Sequence, residues 1–260
     1  MNRCLAILVG ALGLALAHTA GAQACPRPLT VAMTSLQPSR ADAPLERAAD
    51  ALLDELAQRS GVQWTRTDMP RMRAVTEFKA GRVDVLPMAS RSDERDAWGR
   101  LLPLGRVKPL LILPRRNPIT PQQVQDLTAF DQPLTLVRGQ QFGSRFDAWA
   151  EGLARAGKIH IVSDQGTAVR MMKAGRSAGA LGLPAVYESA LQQAQWSGEV
   201  QMLDLDLGDP VDIGMYLSTA TPEGCIEPLR RAAEQMRRSG AYLALLERFL
   251  SPRMRQGLLP

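Results

Sequence analysis

Pro70-Arg-Met-Arg-Ala-Val-Thr-Glu-Phe-Lys-Ala-Gly-Arg-Val-Asp-Val-Leu-Pro-Met-Ala-Ser-Arg-Ser-Asp-Glu-Arg95 is the stretch on which the fold turns. It reads as a helix from Pro70 to Ala80 stopped by Gly81, then a strand over Val83–Pro87, because Pro opens helices and Gly ends them. The same unit stands on its N-terminal side. Leu29-Thr-Val-Ala-Met33 is a short apolar strand, and Pro44 opens a helix with Leu45, Ala48, Ala49, Leu52, Leu53 and Leu56 on one face. Gly61 stops that helix, and Val62–Thr65 is strand-like. The order β-α-β-α-β points to a mostly parallel sheet with helices on its faces.

A second series of similar size lies on the C-terminal side. Leu134–Val137, Ile159–Val162 and Ala178–Leu181 read as strands, alternating with helices over Phe142–Ala156 and Thr167–Ala174, and Pro184 opens another helix. Two series imply an α/β protein of two lobes, each with a mostly parallel central sheet flanked by helices. Val107-Lys-Pro-Leu-Leu-Ile-Leu-Pro114 is an extended apolar run placed to cross between the lobes. Val200–Leu205 followed by Ile213–Ser218 is placed to return. The resulting two-segment hinge assigns residues 25–110 and 214–260 to lobe 1 and residues 111–213 to lobe 2. The C-terminal helices, Glu227–Arg238 and Tyr242–Leu250, then pack back on lobe 1.

The first 24 residues form a different kind of segment. A positive start at Arg3, an apolar run from Leu5 to Ala17 and Ala22-Gln23-Ala24 before Cys25 have the plan of a cleaved secretory signal peptide. Cleavage leaves a mature chain beginning at Cys25, exported to the periplasm. Only Cys25 and Cys225 of the three cysteines then remain. In an oxidising compartment they are expected to pair, with two free thiols the alternative. The full chain carries 31 Lys plus Arg against 26 Asp plus Glu. The basic residues are scattered, so this small excess does not mark a nucleic-acid binder. Two histidines and three cysteines argue against a metal cluster, and no cofactor is indicated.

Ligands of open α/β sheets gather beyond the carboxyl ends of strands, which makes Ser90, Ser92 and Arg95 candidates. An Arg fork matches a carboxylate, and hydroxyls complete such a cradle. Alternatively, Ser92 caps a short helix and Arg95 pairs with Asp93 or Glu94 at the surface. The residues alone leave both readings open.

Gly81-Arg-Val-Asp84 followed by Ser90-Arg-Ser-Asp-Glu-Arg95 resembles the Gly-x-x-Asp to Glu-Arg pattern of the periplasmic solute-binding proteins of ABC importers, family 3. The resemblance extends, in order, through Arg138-Gly139, Met172-Lys-Ala-Gly-Arg176 and the tail from Ser239 to Leu250. Pro70-Arg-Met-Arg73 is similar to the Pro-Trp-x-Arg of a divergent branch, with Arg71 in place of the aromatic and, in the region where that ring would lie, among the expected ligand contacts. The resemblance implies the type II periplasmic-binding-protein fold and no enzymatic activity. It also implies a small-molecule solute held between the lobes of a monomer, and delivery to an inner-membrane ABC permease. Arg95 matches the carboxylate clamp, Ser90 a donor beside it, and Gln140 and Gln141 the second-lobe turn that faces the same carboxylate. At a helix start, those two would suit an anion.

The departures point to the solute. Leu183 or Gly182 stands where amino-acid binders carry the Asp that holds the ligand's ammonium group, and Met33 to Leu36 offers no aromatic platform. An α-amino acid would leave its cation unpaired in a desolvated cleft. An anionic or carboxylate-bearing solute is therefore expected, with Met33, Met88 and Leu183 as apolar walls. Two other functions use the same fold: an accessory or sensor protein that contacts another protein, and an exported dehydratase-like enzyme. Catalysis needs a positioned acid or base, and the mature chain holds a single histidine, His160, within a strand. Trp64, Trp149, Trp196, Phe78 and Phe146 read as packing residues.

Overall fold

The computed structural model describes residues 25–34, 43–116, 130–204 and 209–260. The signal-peptide segment and the end of the Met33–Leu36 stretch lie outside the described residues. Among those described, no helix is long and apolar enough to cross a membrane.

Two sheets form. The first takes β1 (Leu29–Met33), β2 (Trp64–Asp68), β3 (Val85–Ser90), β4 (Gly99–Val107), β10 (Val211–Ser218) and β11 (Leu258–Leu259), in the order β11-β4-β10-β3-β1-β2. The second takes β5 (Leu110–Pro114), β6 (Leu134–Val137), β7 (Ile159–Val162), β8 (Gly179–Gly182) and β9 (Val200–Asp204), in the order β7-β6-β8-β5-β9. The β-α units supply the parallel part of each sheet: β1 pairs parallel with β2 and β3, and β6 with β7 and β8. The strands flanking the crossings, β4, β5, β9 and β10, are antiparallel to their neighbours.

The crossing run is two strands rather than one. Val107 ends β4 in the first sheet, Lys108-Pro109 interrupts it, and β5 starts in the second sheet, since Pro lacks the N–H a continuous ladder needs. β4 itself runs back to Gly99, through Pro103 and Gly105, where the sequence shows no alternation. Both breakers are accommodated because its pairing with β10 shifts register between Ile213 and Gly214.

Among the described residues the α-helices are α1 (Pro44–Ser60), α2 (Arg71–Lys79), α3 (Asp93–Asp96), α4 (Ser144–Arg155), α5 (Gln165–Lys173), α6 (Pro184–Gln193), α7 (Glu223–Arg238) and α8 (Ala241–Glu247). α7 begins one turn before the expected Glu227 and continues through Pro228. Its first turn is held by buried Cys225 and Ile226, and Cys225 is joined to Cys25 in a disulfide across 200 residues of chain. Leu229, Ala232, Ala233 and Met236 continue the buried stripe, and α7 packs on α1 and β4. The C-terminal helices thus return to the first sheet. Burying a large apolar side chain contributes roughly 1.5–3 kcal/mol, so this stripe holds the helix against α1 and the first sheet.

Asp84 of the Gly81-Arg-Val-Asp84 segment is only 2% exposed. Its carboxylate accepts two bonds from the Arg27 guanidinium at 2.7 and 2.8 Å and one from the Thr30 backbone N–H at 2.8 Å. It pins the start of β1 beside β3 and takes no place in the cleft wall.

Candidate functional site

The carboxyl ends of β1 and β3 and the turn after β6 meet at a cavity of about 120 Å³. Of the residues expected to bind ligand, Met33, Arg71, Met88, Ser90, Gln140, Gln141 and Leu183 line it. Arg95 lies behind them, against an adjoining space of about 20 Å³ that Arg71 also walls. Arg71 is therefore the guanidinium common to both spaces.

β3 reaches the cavity through a bulge. Two positions of β10, Gly214 and Tyr216, span three steps of β3 between Ala89 and Leu86. Pro87 sits in this irregularity, and Met88 has φ 50°, a left-handed conformation that costs a non-glycine residue energy. The bulge turns Pro87 and Met88 into the cavity wall.

Arg95 is 3% exposed, not a surface residue. Ser92 does cap α3, accepting the Arg95 backbone N–H at 3.3 Å. The Arg95 side chain turns inward instead of pairing with Asp93 or Glu94. Its Nη1 donates to the Ser90 carbonyl at 2.7 Å and its Nη2 to the Gly139 carbonyl at 3.2 Å. Burial lowers its pKa, opposed by Tyr216, Glu94 and Asp147. Arg71 Nη2 also points to the Gly139 carbonyl, at 3.4 Å. Burial, and then the like charge of Arg95, push the Arg71 guanidinium down to about 10. Among the described residues, no carboxylate lies within ion-pair distance of either arginine.

Other contacts draw the two lobes together at this point. The Ser90 hydroxyl donates to the Gln141 carbonyl at 2.5 Å, and Gln141 Nε2 donates to Glu94 at 3.2 Å. Gln140 and Gln141 lie in the loop ahead of α4 rather than at its first turn, which starts at Ser144 behind Gly143. The Gln140 N–H closes a turn onto Val137, so the side chains face the cavity while that amide is already used. Gln140 Oε1 and Arg71 Nε are buried without a hydrogen-bond partner.

Other wall residues were not among the expected ligand contacts, Glu46, Phe142, Gln165 and Ile213 among them. Glu46, in the first turn of α1, is 5% exposed and engaged within the chain. The cavity thus has a carboxylate, contributed by the first lobe rather than at the Leu183 position. Gln165 opens α5 just past the carboxyl end of β7, where the strand-end rule could have found it. His160 is exposed on β7, the edge strand of its sheet, and does not line the cavity.

Tyr216 holds the Arg95 segment in place. Its hydroxyl donates to Asp96 Oδ1 at 2.8 Å and accepts the Ser92 N–H at 3.2 Å, and burial with the Asp96 bond pushes its pKa up to about 12. Tyr216→Phe leaves a buried N–H and a carboxylate oxygen without this partner. We expect a loss of about 1–3 kcal/mol in unfolding free energy, checked by urea denaturation with an unchanged m-value.

No protein-family model matches the chain, and no curated protein matches it in sequence. Solved structures match it across most of its length. A histidine kinase sensor domain with similarity to periplasmic binding proteins has a TM-score of 0.67 at 15% identity, covering 90% of this chain and 97% of that one. An ancestral arginine-binding protein bound to arginine has a TM-score of 0.66 at 17% identity, covering 86% and 98%. The ancestral amino acid-binding protein AncCDT-1, a precursor of cyclohexadienyl dehydratase, has a TM-score of 0.63 at 15% identity, covering 86% and 95%. At these identities it is the fold that is shared. The chain has the two-lobed, type II periplasmic-binding-protein fold.

Proposed function

We propose that this is an exported solute-binding protein that captures a small anionic or carboxylate-bearing solute between its lobes and passes it to an inner-membrane ABC permease. One observation carries the reading. Arg71 and Arg95 flank the inter-lobe cavity, and among the described residues neither has a carboxylate within ion-pair distance, Glu94 and Asp147 acting on Arg95 only from further away, while Glu46, the cavity's own carboxylate, is engaged within the chain. A buried guanidinium is costly unless an anion answers it, and a solute anion in the cleft does so. Met33, Met88, Leu183 and Ile213 supply an apolar part of the wall.

The hinge in this reading runs through Lys108-Pro109 and the segment before Val211. Lobe 1 contributes Arg71, Ser90 and Arg95, and lobe 2 contributes Gln140 and Gln141. A solute stabilises closure only by touching both sets. Resemblance to a sensor domain favours a second reading, in which the same closure is read by a partner protein. A melting-temperature screen against carboxylates and neutral amino acids tests the shared part. A carboxylate ligand raises the melting temperature by mass action, and a chain that responds to no small solute is a protein-interaction module. Loss of cellular uptake of that solute on deleting the gene supports delivery to an importer, and unchanged uptake favours the sensor.

A further inference from the structure

The two guanidiniums are placed closer than a single carboxylate requires. Nη2 of Arg71 and Nη2 of Arg95 both lie within hydrogen-bond reach of one atom, the Gly139 carbonyl oxygen, at 3.4 and 3.2 Å. The two nitrogens therefore stand no further apart than those lengths laid end to end, a gap one small oxyanion can bridge. The acceptors hydrogen-bonded to them are neutral: the carbonyls of Gly139 and Ser90, and the Ser90 hydroxyl at 3.5 Å from Arg95 Nη1; Glu94 and Asp147 act on Arg95 only from beyond ion-pair distance. Burial, and then the like charge of Arg95, lower the Arg71 pKa.

A monoanion leaves one of two adjacent charges unanswered. Two negative charges answer both, and in a partly desolvated wall this difference exceeds its value in water. Arg71 also has a donor to offer, since its Nε is buried without an acceptor, and Gln140 Oε1 in the same wall is buried without a donor. A head group rich in acceptors, with a hydroxyl or amine close by, satisfies both.

Resting on the anion-binding reading above, we propose that Arg71 and Arg95 jointly seat a compact head group with two negative charges. Phosphate and phosphonate monoesters, sulfate and 1,3-dicarboxylates share this chemistry. The second charge is what Arg71 selects. The surrounding Met33, Met88, Leu183 and Ile213 fit a small apolar body attached to it.

Calorimetric titration at fixed ionic strength separates charge from shape. Sulfate and methanesulfonate are both tetrahedral and similar in size, but carry two and one negative charges; malonate and its monomethyl ester are the corresponding carboxylate pair. In the wild-type protein each dianion is expected to bind about tenfold or more tighter than its monoanion. The preferred pair tells a tetrahedral head group from a dicarboxylate. Arg71→Gln should bring that ratio close to one, and Arg71→Lys should keep part of it, with the melting temperature of both variants checked in parallel. Equal affinity for dianion and monoanion in the wild-type protein overturns this proposal alone. A ratio that survives Arg71→Gln in a folded variant overturns it too. Absence of binding by all four anions overturns it together with the reading it rests on.

Discussion

Arg95→Ala should weaken the binding of an anionic solute by about 10- to 100-fold, the loss of a charge-assisted interaction, while leaving the folded state close to wild-type stability. The separation of these two effects is the informative part. In most buried ion pairs, removing one partner strands the other and destabilises the fold. Arg95 has no carboxylate partner to strand. Its side-chain bonds go to the carbonyls of Ser90 and Gly139 and weakly to the Ser90 hydroxyl, beside a small space that also borders Arg71.

Burial is the largest influence on Arg95, and it lowers the pKa. The sign follows: a base whose pKa falls on folding makes folding less favourable at neutral pH, so its removal relieves a cost. What is lost instead are the bonds to the Ser90 carbonyl and, across the cleft, to the Gly139 carbonyl. Calorimetry and urea denaturation on the same variant measure the two quantities. A stability loss beyond about 2 kcal/mol with little change in anion affinity would make Arg95 a structural residue.

Asp84→Ala should act in the opposite way, lowering unfolding free energy by about 3 kcal/mol with little direct effect on the cavity. Asp84 accepts a bidentate guanidinium and a backbone N–H from the start of β1, so its removal leaves Thr30 without that acceptor. Arg27 is about half exposed and water can rehydrate it, which keeps the loss below that of a fully buried pair. Asp84→Asn, which keeps an acceptor but not the charge, should recover part of the stability. The measurement is the urea midpoint of the three proteins at constant disulfide state, because the Cys25–Cys225 bridge tethers the same N-terminal segment.

Asp84 shows how a sequence pattern and its function come apart. The Gly81-Arg-Val-Asp84 spacing identified the helix stop and the strand after it correctly, since Gly81 adopts φ 69°, a conformation favoured by glycine. It carried no information on whether the carboxylate faced the cleft or the strand beside it. Much of the β-α alternation was legible because each element has its own apolar period. β4 was not, because Pro103 and Gly105 look like loop residues until β10 supplies a neighbour that accommodates a bulge.

The site was legible where a residue sits at the end of a strand and less so where a helix brings it in. Ser90 closes β3, and Arg95 follows one turn later. Arg71 was visible only as a charge in place of an aromatic; its proximity to Arg95 depends on how α2 docks beside the Gly139 turn. Glu46 reads in sequence as an ordinary acidic residue in a helix's first turn. Its burial is decided by the placement of α1 over the cleft, which no local pattern encodes.

The central claim is that the cleft recognises negative charge, and a carboxylate tested against its own amide isolates that one property. Calorimetric titration of the wild-type protein with small carboxylic acids, their amides and neutral amino acids should give saturable binding of a carboxylate at one site per chain. The matching amide should bind at least about tenfold more weakly. Tight binding of a neutral amino acid, or an amide that binds as well as its carboxylate, would contradict the account.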